Sequence, residues 1–150
     1  MTQQDSPYNR LSLLNAVVIG FMVGTYEVMG RGGTQAIINM SGQYVGREIL
    51  RFAAAHGEPI RTPDELCAFL IREGLTNQLE LSESEEGFHT RIAHCRICPK
   101  KVGRYSFDGT ACPWGGILAG ALEQITGQRF SCTPRLTPGD ICEIDLRRTG

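Results

Sequence analysis

The feature of this sequence that most constrains its fold is a change in the spacing of its apolar residues near residue 77. Before that point apolar residues recur every three or four positions, which is typical of amphipathic helices. From Asn77 to His94 they partly alternate with polar residues, which is typical of half-buried strands. Helices followed by strands predict an α+β fold, with N-terminal helices packed on an antiparallel sheet.

Glycines divide the helical half of the sequence. Residues 9–57 predict two helices, with a stop and restart at the cluster formed by Gly30, Gly32 and Gly33. Gly42 and Gly46 are four residues apart on the second helix. Because a glycine inside a helical pattern usually has a packing reason, this pair predicts close contact with another helix.

Caps and turns mark the remaining elements. A third helix is predicted to begin at Thr62, where a capping hydroxyl precedes a proline, and to end at Gly74. The later elements are predicted to be a hairpin (77–86 and 88–94), a helix over 113–126, and two short strands over 129–133 and 141–146. With 150 residues and no repeat or linker, the chain predicts a single domain over residues 1–150.

Charge and motif content exclude several classes of function. The net charge is −1, whereas a nucleic-acid-binding protein is expected to carry a strong basic excess. The first apolar run, over residues 11–29, is interrupted by polar residues and glycines, so we expect no membrane span and a cytoplasmic protein. The sequence also lacks the phosphate-binding loop, the dinucleotide fingerprint, the serine nucleophile elbow and the zinc-protease helix motif.

Five of the six cysteines lie after residue 94, and they are the best candidates for chemistry. Clustered cysteines in a reducing compartment indicate metal or redox chemistry rather than disulfides. Cys95 and Cys98 form a C-x-x-C step, Cys112 precedes a predicted helix whose N-terminus stabilises a thiolate, and either Cys132 or Cys142 supplies a fourth ligand. Four thiolates suit a zinc site or an iron–sulfur cluster. Buried cysteines without a ligand and a redox dithiol are the alternatives.

Three segments of the second half resemble the 4-vinyl reductase domain family. They are CPWGGILAGALE at 112–123, TG at 126–127 and PGDIC at 138–142, and the glycines at 30, 33, 42 and 46 are similar to those of the family's N-terminal helices. The resemblance implies a fold like that of the small transport-particle subunits of vesicle tethering, which often dimerise through their N-terminal helices. It also implies a small-molecule-binding module, since some members sense aromatic hydrocarbons and others are associated with bacteriochlorophyll synthesis.

Several members of that family hold a structural zinc with cysteines and a glutamate. By resemblance, Cys112 and Cys142 match the first and last of these ligands. Cys132 stands near the position of the glutamate and Arg135 near that of a middle cysteine, so the usual set is incomplete. We therefore predict that the C-x-x-C step completes an iron–sulfur or zinc centre whose ligands are Cys95, Cys98, Cys112 and Cys142.

The predicted function is a stand-alone module that binds or senses a hydrophobic small molecule and carries this metal centre, and we favour binding over catalysis. Candidate walls of the ligand pocket, with plain core packing as the alternative, are Phe21, Met22, Tyr26, Trp114, Ile117 and Leu118. We expect a homodimer formed through the N-terminal helices, and neither nucleic acid nor membrane as a partner. Two other functions stay open: a component of a tetrapyrrole vinyl reductase, and an assembly or adaptor protein without metal.

Overall fold

The computed structural model describes residues 10–95, 97, 112–135 and 141–150. Within these ranges the elements in chain order are α1 (Arg10–Ala55), α2 (Pro63–Arg72), β1 (Gln78–Ser84), β2 (Gly87–Ala93), α3 (Trp114–Thr126), β3 (Arg129–Arg135) and β4 (Ile141–Thr149). The strands form an antiparallel sheet in the order β1-β2-β4-β3. This confirms the predicted α+β class, with helices packed on an antiparallel sheet.

A kink at Gly30 divides α1 into two helical segments. Gly30 has φ 70° and ψ −174°, a combination that only glycine adopts readily. One turn later the buried hydroxyl of Thr34 donates a hydrogen bond to the Gly30 carbonyl at 2.6 Å. The predicted stop and restart in the glycine cluster is therefore confirmed.

Local capping fixes both ends of α2. The Thr62 hydroxyl accepts a hydrogen bond from the Glu65 amide at 3.2 Å, and the Glu65 carboxylate accepts one from the Arg61 amide at 2.7 Å. Pro63 occupies the first helical position, and Gly74 follows the helix with φ 77°. This reciprocal capping explains why the start of the helix could be predicted from sequence alone.

The register of the sheet determines which side chains face the helices. Leu79 of β1 pairs with Ile92 of β2, and β4 continues the row with Cys142 opposite Ile92 and Ile144 opposite Thr90. Ile92, Thr90 and Ile144 are at most 2% exposed. Because side chains alternate along a strand, these five residues share the inner face of the sheet, which is covered by helix.

The last two strands are longer than predicted, since they cover 129–135 and 141–149 rather than 129–133 and 141–146. Arg148 accounts for the extension of β4. Its amide donates to the Glu86 carbonyl at 2.8 Å, and its guanidinium donates to the carbonyls of Ser84 and Glu85 at 2.6 and 2.8 Å. Hydrogen bonding, rather than an apolar pattern, therefore holds this polar segment in the sheet.

The helix α3 lies between α1 and the sheet, and every residue from Trp114 to Leu122 is buried. Glycines allow this close packing. A Cβ at Gly42 would lie 2.9 Å from the Pro113 carbonyl oxygen, and one at Gly46 would overlap the Ile117 carbonyl oxygen. The predicted role of this glycine pair in helix contact is confirmed.

Much of the apolar surface of α1 faces solvent in the protomer. The exposed fraction is 75% for Phe21, 85% for Val28 and 71% for Met40, whereas Ile19 and Met22 are buried. The apolar stripe of the first helical segment is thus only partly covered by the rest of the chain. Among the described residues we find no helix with the length and apolar content needed to cross a bilayer.

Candidate thiol site

The exit of β2 brings Cys95 to one end of the sheet. Ala93, the last residue of β2, pairs with Ile141, the first residue of β4, and its carbonyl accepts a hydrogen bond from the buried Thr76 hydroxyl at 2.7 Å. His94 then adopts a left-handed conformation with φ 55°, which turns the chain out of the strand. Cys95 follows, half-buried and packed against the core.

Cys142 lies at the same end of the sheet, one residue into β4. Its side chain belongs to the inner face, because Ile144 and Leu146 on the same side of β4 are fully buried. Cys142 itself is half-buried and stands opposite Ile92. The sequence prediction that places this cysteine in the final strand is correct.

Cys112 immediately precedes the N-terminal end of α3, as predicted, and is only 5% exposed. Its backbone is held by a side chain from α1, since the Cys112 amide donates to the Gln35 Oε1 at 3.2 Å and the Gln35 Nε2 donates to the Cys112 carbonyl at 3.3 Å. The N-cap residue of α3, Pro113, makes no side-chain capping bond. The first turn of α3 therefore presents its amides and the positive end of the helix dipole near Cys112.

Cys132 lies under the first turn of α3. A Cβ at Gly115 would be 2.9 Å from the Cys132 Sγ and 3.6 Å from the Cγ2 of Ile144, so this turn sits directly on β3 and β4. Burial raises the pKa of the Cys132 thiol, which favours its neutral form unless a cation is nearby. Both candidates for the fourth ligand, Cys132 and Cys142, thus share the inner face of the sheet.

Cys95 and Cys142 lie at one end of the sheet, whereas Cys132 stands opposite Leu146, four residues further along β4. The described thiols do not by themselves form a coordination sphere. Among the residues that the structure describes, no three His, Cys, Asp or Glu side chains are placed to hold a metal ion. Cys98, the second member of the C-x-x-C step, lies outside the described residues. The donor chemistry, thiolates beside a helix N-terminus, fits zinc or an iron–sulfur cluster, and the four-cysteine centre stays a prediction.

Four of the six residues predicted to wall a ligand pocket lie in the interior. Met22, Trp114, Ile117 and Leu118 are at most 4% exposed, Tyr26 is half-buried, and Phe21 lies on the surface. The pocket assignment itself stays a prediction. Phe21 does not share the interior of the protomer with the four buried side chains.

Two buried polar atoms in this region lack a partner within the described residues. The Nε1 of Trp114 and the Oγ1 of Thr90 make no hydrogen bond, although Trp114 is 1% exposed and Thr90 is fully buried. Buried polar groups are hydrogen-bonded in the great majority of cases, so each such atom indicates water or a ligand. The sequence analysis did not predict Thr90 as a site residue. A threonine between Phe88 and Ile92, on an otherwise apolar strand face, could have indicated it.

Comparisons with known proteins show which family this chain belongs to and which solved structure shares its fold. Residues 33–148 match the model of the MJ0207 family. The chain belongs to the MJ0207 family. The protein MJ0207 of Methanocaldococcus jannaschii is 33% identical over 137 residues, which cover 91% of this chain and 89% of that protein. A second protein of the same organism, MJ1342, is 31% identical over 67 residues, which cover 44% of this chain and 57% of that protein.

The MJ0207-family chain also shares its fold with a solved structure. The crystal structure of a vinyl-4-reductase family protein from Methanocaldococcus jannaschii superposes with a TM-score of 0.61, covering 99% of this chain and 87% of that chain. The sequence identity is 13%, so the likeness shows the fold. The predicted resemblance to the 4-vinyl reductase fold is therefore confirmed for the architecture.

Proposed function

We propose that this MJ0207-family protein is a small-molecule-binding or sensing module. Its ligand would lie between α3 and the inner face of the sheet, next to a cysteine-ligated zinc or iron–sulfur centre at the N-terminal end of α3. The fold shared with a vinyl-4-reductase family protein supports a binding module. The positions of Cys95 and Cys142 at one end of the sheet, and of Cys112 just before α3, support the adjoining centre.

The observation that carries the ligand proposal is the pair of buried polar atoms without partners, Trp114 Nε1 and Thr90 Oγ1. The two residues lie in layers that face each other. Thr90 pairs with Ile144 across β2 and β4, and the Cγ2 of Ile144 lies 3.6 Å from the Cβ position of Gly115, the residue after Trp114. Leaving a buried donor unpaired costs about 1–3 kcal/mol, so a ligand that accepts from these groups would bind favourably.

Trp114 is the only tryptophan of the chain, so its fluorescence reports on this region. We would titrate the protein with pairs of aromatic probes matched in size, such as anisole and ethylbenzene, in which an ether oxygen replaces a methylene group. Probes with an acceptor should change the fluorescence at lower concentration than their hydrocarbon partners. Thr90→Val should alter this preference, and Thr133→Val, on the exposed face of β3, should not. A probe set that leaves the fluorescence unchanged would contradict the ligand site.

The metal centre is tested by chemical analysis. Protein purified without oxygen should contain either zinc, or iron together with inorganic sulfide and broad visible absorbance. Cys95→Ala and Cys142→Ala should lose the metal, whereas Cys67→Ala, a substitution in α2 on the β1 side of the sheet, should retain it. Full metal content in Cys95→Ala would remove the C-x-x-C step from the centre, and loss of metal in Cys132→Ala would add that residue to it.

The exposed apolar face of α1 supports a homodimer formed through this helix. Phe21, Val28, Met40 and Tyr44 are each more than 60% exposed, and a second copy of the same helix would bury them. Light scattering should give twice the mass of one chain for the wild type. Phe21→Glu should give the monomer mass, while Glu27→Gln on the same segment should leave the dimer intact. A monomeric wild type at micromolar concentration would contradict the dimer.

A further inference from the structure

We propose that Gln35 is the positioning residue of the thiol site, because its side chain holds Cys112 in place and ties the site to α1. The inference rests on the proposed function, since it concerns the same cysteine. It adds a residue from a different element, 77 positions away in the chain.

The side-chain amide of Gln35 uses both of its ends on one backbone. Its Oε1 accepts from the Cys112 amide at 3.2 Å, and its Nε2 donates to the Cys112 carbonyl at 3.3 Å. The Gln35 side chain therefore bonds both the backbone N–H and the backbone C=O of Cys112, as a neighbouring strand does in a sheet. Rotation of the Cys112 backbone would break both bonds together.

Cys112 precedes the N-cap of α3, so this contact bonds a residue that lies before the helix. The first carbonyl used within the helix is that of Pro113, which accepts from the Ile117 amide at 3.1 Å. The N-cap supplies no side-chain bond. Gln35 therefore bonds both peptide groups of Cys112 just before the helix begins.

Gln35 is itself held in one orientation. The Cys112 amide can only donate, which identifies the oxygen end of the Gln35 amide, and the Nε2 at the other end also donates to the Oδ1 of Asn39 at 2.7 Å. The backbone of Asn39 in turn lies against Gly116, where a Cβ would be 3.0 Å from the Asn39 Cα. The segment of α1 that carries Gln35 is thus locked to the first turn of α3 at two successive points.

Metal ligands need such support, because residues that orient a ligand typically change metal affinity by 10- to 100-fold when they are replaced. Gln35→Leu keeps the size of the side chain and removes both bonds to Cys112. Gln43→Leu is the matched control, since Gln43 lies two turns further along α1, is half-buried, and lines a separate cavity with Arg47.

The first measurement is the rate of Cys112 alkylation by iodoacetamide in metal-free protein, followed by peptide mass spectrometry. We expect Gln35→Leu to react about tenfold faster at Cys112, because loss of the two hydrogen bonds from Gln35 lets the chain around Cys112 open locally. Gln43→Leu should react at the wild-type rate, and Cys67 should keep its rate in all variants. An unchanged Cys112 rate in Gln35→Leu would overturn the proposal.

The second measurement is a titration with Co²⁺, whose thiolate charge-transfer band reports ligation by cysteine. Gln35→Leu should bind Co²⁺ about tenfold more weakly than the wild type and Gln43→Leu. If the wild type shows no such band, the metal centre is wrong, and the alkylation rate alone decides the role of Gln35. Should Gln35→Leu fail to fold, Gln35→Met, which removes both bonds with an unbranched side chain, takes its place with the same expected effects, and wild-type behaviour of that variant would overturn the proposal.

Discussion

Gly46 of α1 lies so close to Ile117 of α3 that a side chain at position 46 would overlap the Ile117 carbonyl oxygen. Gly120 makes the reciprocal approach from α3, since a Cβ there would overlap the Gln43 carbonyl oxygen. The two helices therefore touch backbone to backbone. This contact holds α1 against the layer that carries the thiol site.

We predict that Gly46→Ala destabilises the protein by about 2–3 kcal/mol, because the added methyl group must push apart two backbones rather than displace a flexible side chain. Ser41→Ala, on the exposed side of the same helix, should change the free energy of unfolding by less than about 0.5 kcal/mol. Urea unfolding followed by circular dichroism measures both values. Equal stability of the two variants would show that the helices are not in backbone contact.

Arg148 should be worth more to stability than an ordinary surface arginine. Besides its two backbone acceptors, it donates to Gln128 and Glu83 at 2.6 Å, and its side chain is 25% exposed. Arg148→Ala should cost about 1–3 kcal/mol, whereas Arg51→Ala, which breaks an exposed pair with Glu48, should cost about 0–0.5 kcal/mol. Arg148→Lys should recover little, since a lysine does not offer the forked set of donors.

The Thr76 hydroxyl should stabilise the turn that leads to Cys95. Thr76→Val keeps the shape of the side chain but removes the donor to the Ala93 carbonyl, which we expect to cost about 1–2 kcal/mol. Hydrogen exchange should show faster opening at the end of β2. Thr133→Val, an exposed substitution in β3, serves as the control, and the hypothesis fails if both variants exchange alike.

Cys67 should make the stability of the protein sensitive to alkaline pH. Burial, with a smaller contribution from the Asp64 carboxylate, raises the pKa of the Cys67 thiol to about 11, compared with 9.0 for a model thiol. The unfolded chain therefore loses this proton before the folded chain does. The corresponding stability is fully present below pH 9 and is lost as the pH rises towards about 11.

Comparison with Cys67→Ala isolates this effect. Under anaerobic conditions, the difference in unfolding free energy between the wild type and Cys67→Ala should stay constant up to about pH 9 and then shift against the wild type. Urea midpoints at successive pH values measure that difference. A difference that is the same at pH 8 and pH 10.5 would mean that the folded thiol ionises like a model thiol.

Local features of the sequence predicted much of the fold. The kink at Gly30, the cap at Thr62 and the hairpin around Gly87 each depend on a few neighbouring residues, so a single sequence suffices to find them. The positions of Cys112 before α3 and of Cys142 in the last strand were also predicted. These are the elements whose conformation is decided by caps, turns and periodicity.

The tertiary structure decided what those elements do together. The extension of β4 depends on Arg148 reaching the β1–β2 turn, and the exposure of Phe21 depends on how little of α1 the rest of the chain covers. Neither the extension of β4 nor the exposure of Phe21 can be predicted from the residues next to them in the sequence. From the sequence, the apolar residues of α1 predict a stripe that faces the core. Hydrophobic periodicity shows that such a stripe exists but does not show which element covers it.

The sequence by itself determined the helices, most strand positions and the types of side chain available for chemistry, since short-range hydrogen bonds and the spacing of apolar residues act over a few positions. Only the tertiary structure brought Gln35 to Cys112 and left Trp114 and Thr90 buried without partners in the described chain. The physical reason is that contacts between distant residues follow from how whole helices and sheets pack. The close approach of α1 to α3 through glycine accompanies the contact between Gln35 and Cys112, and no local sequence pattern predicts either.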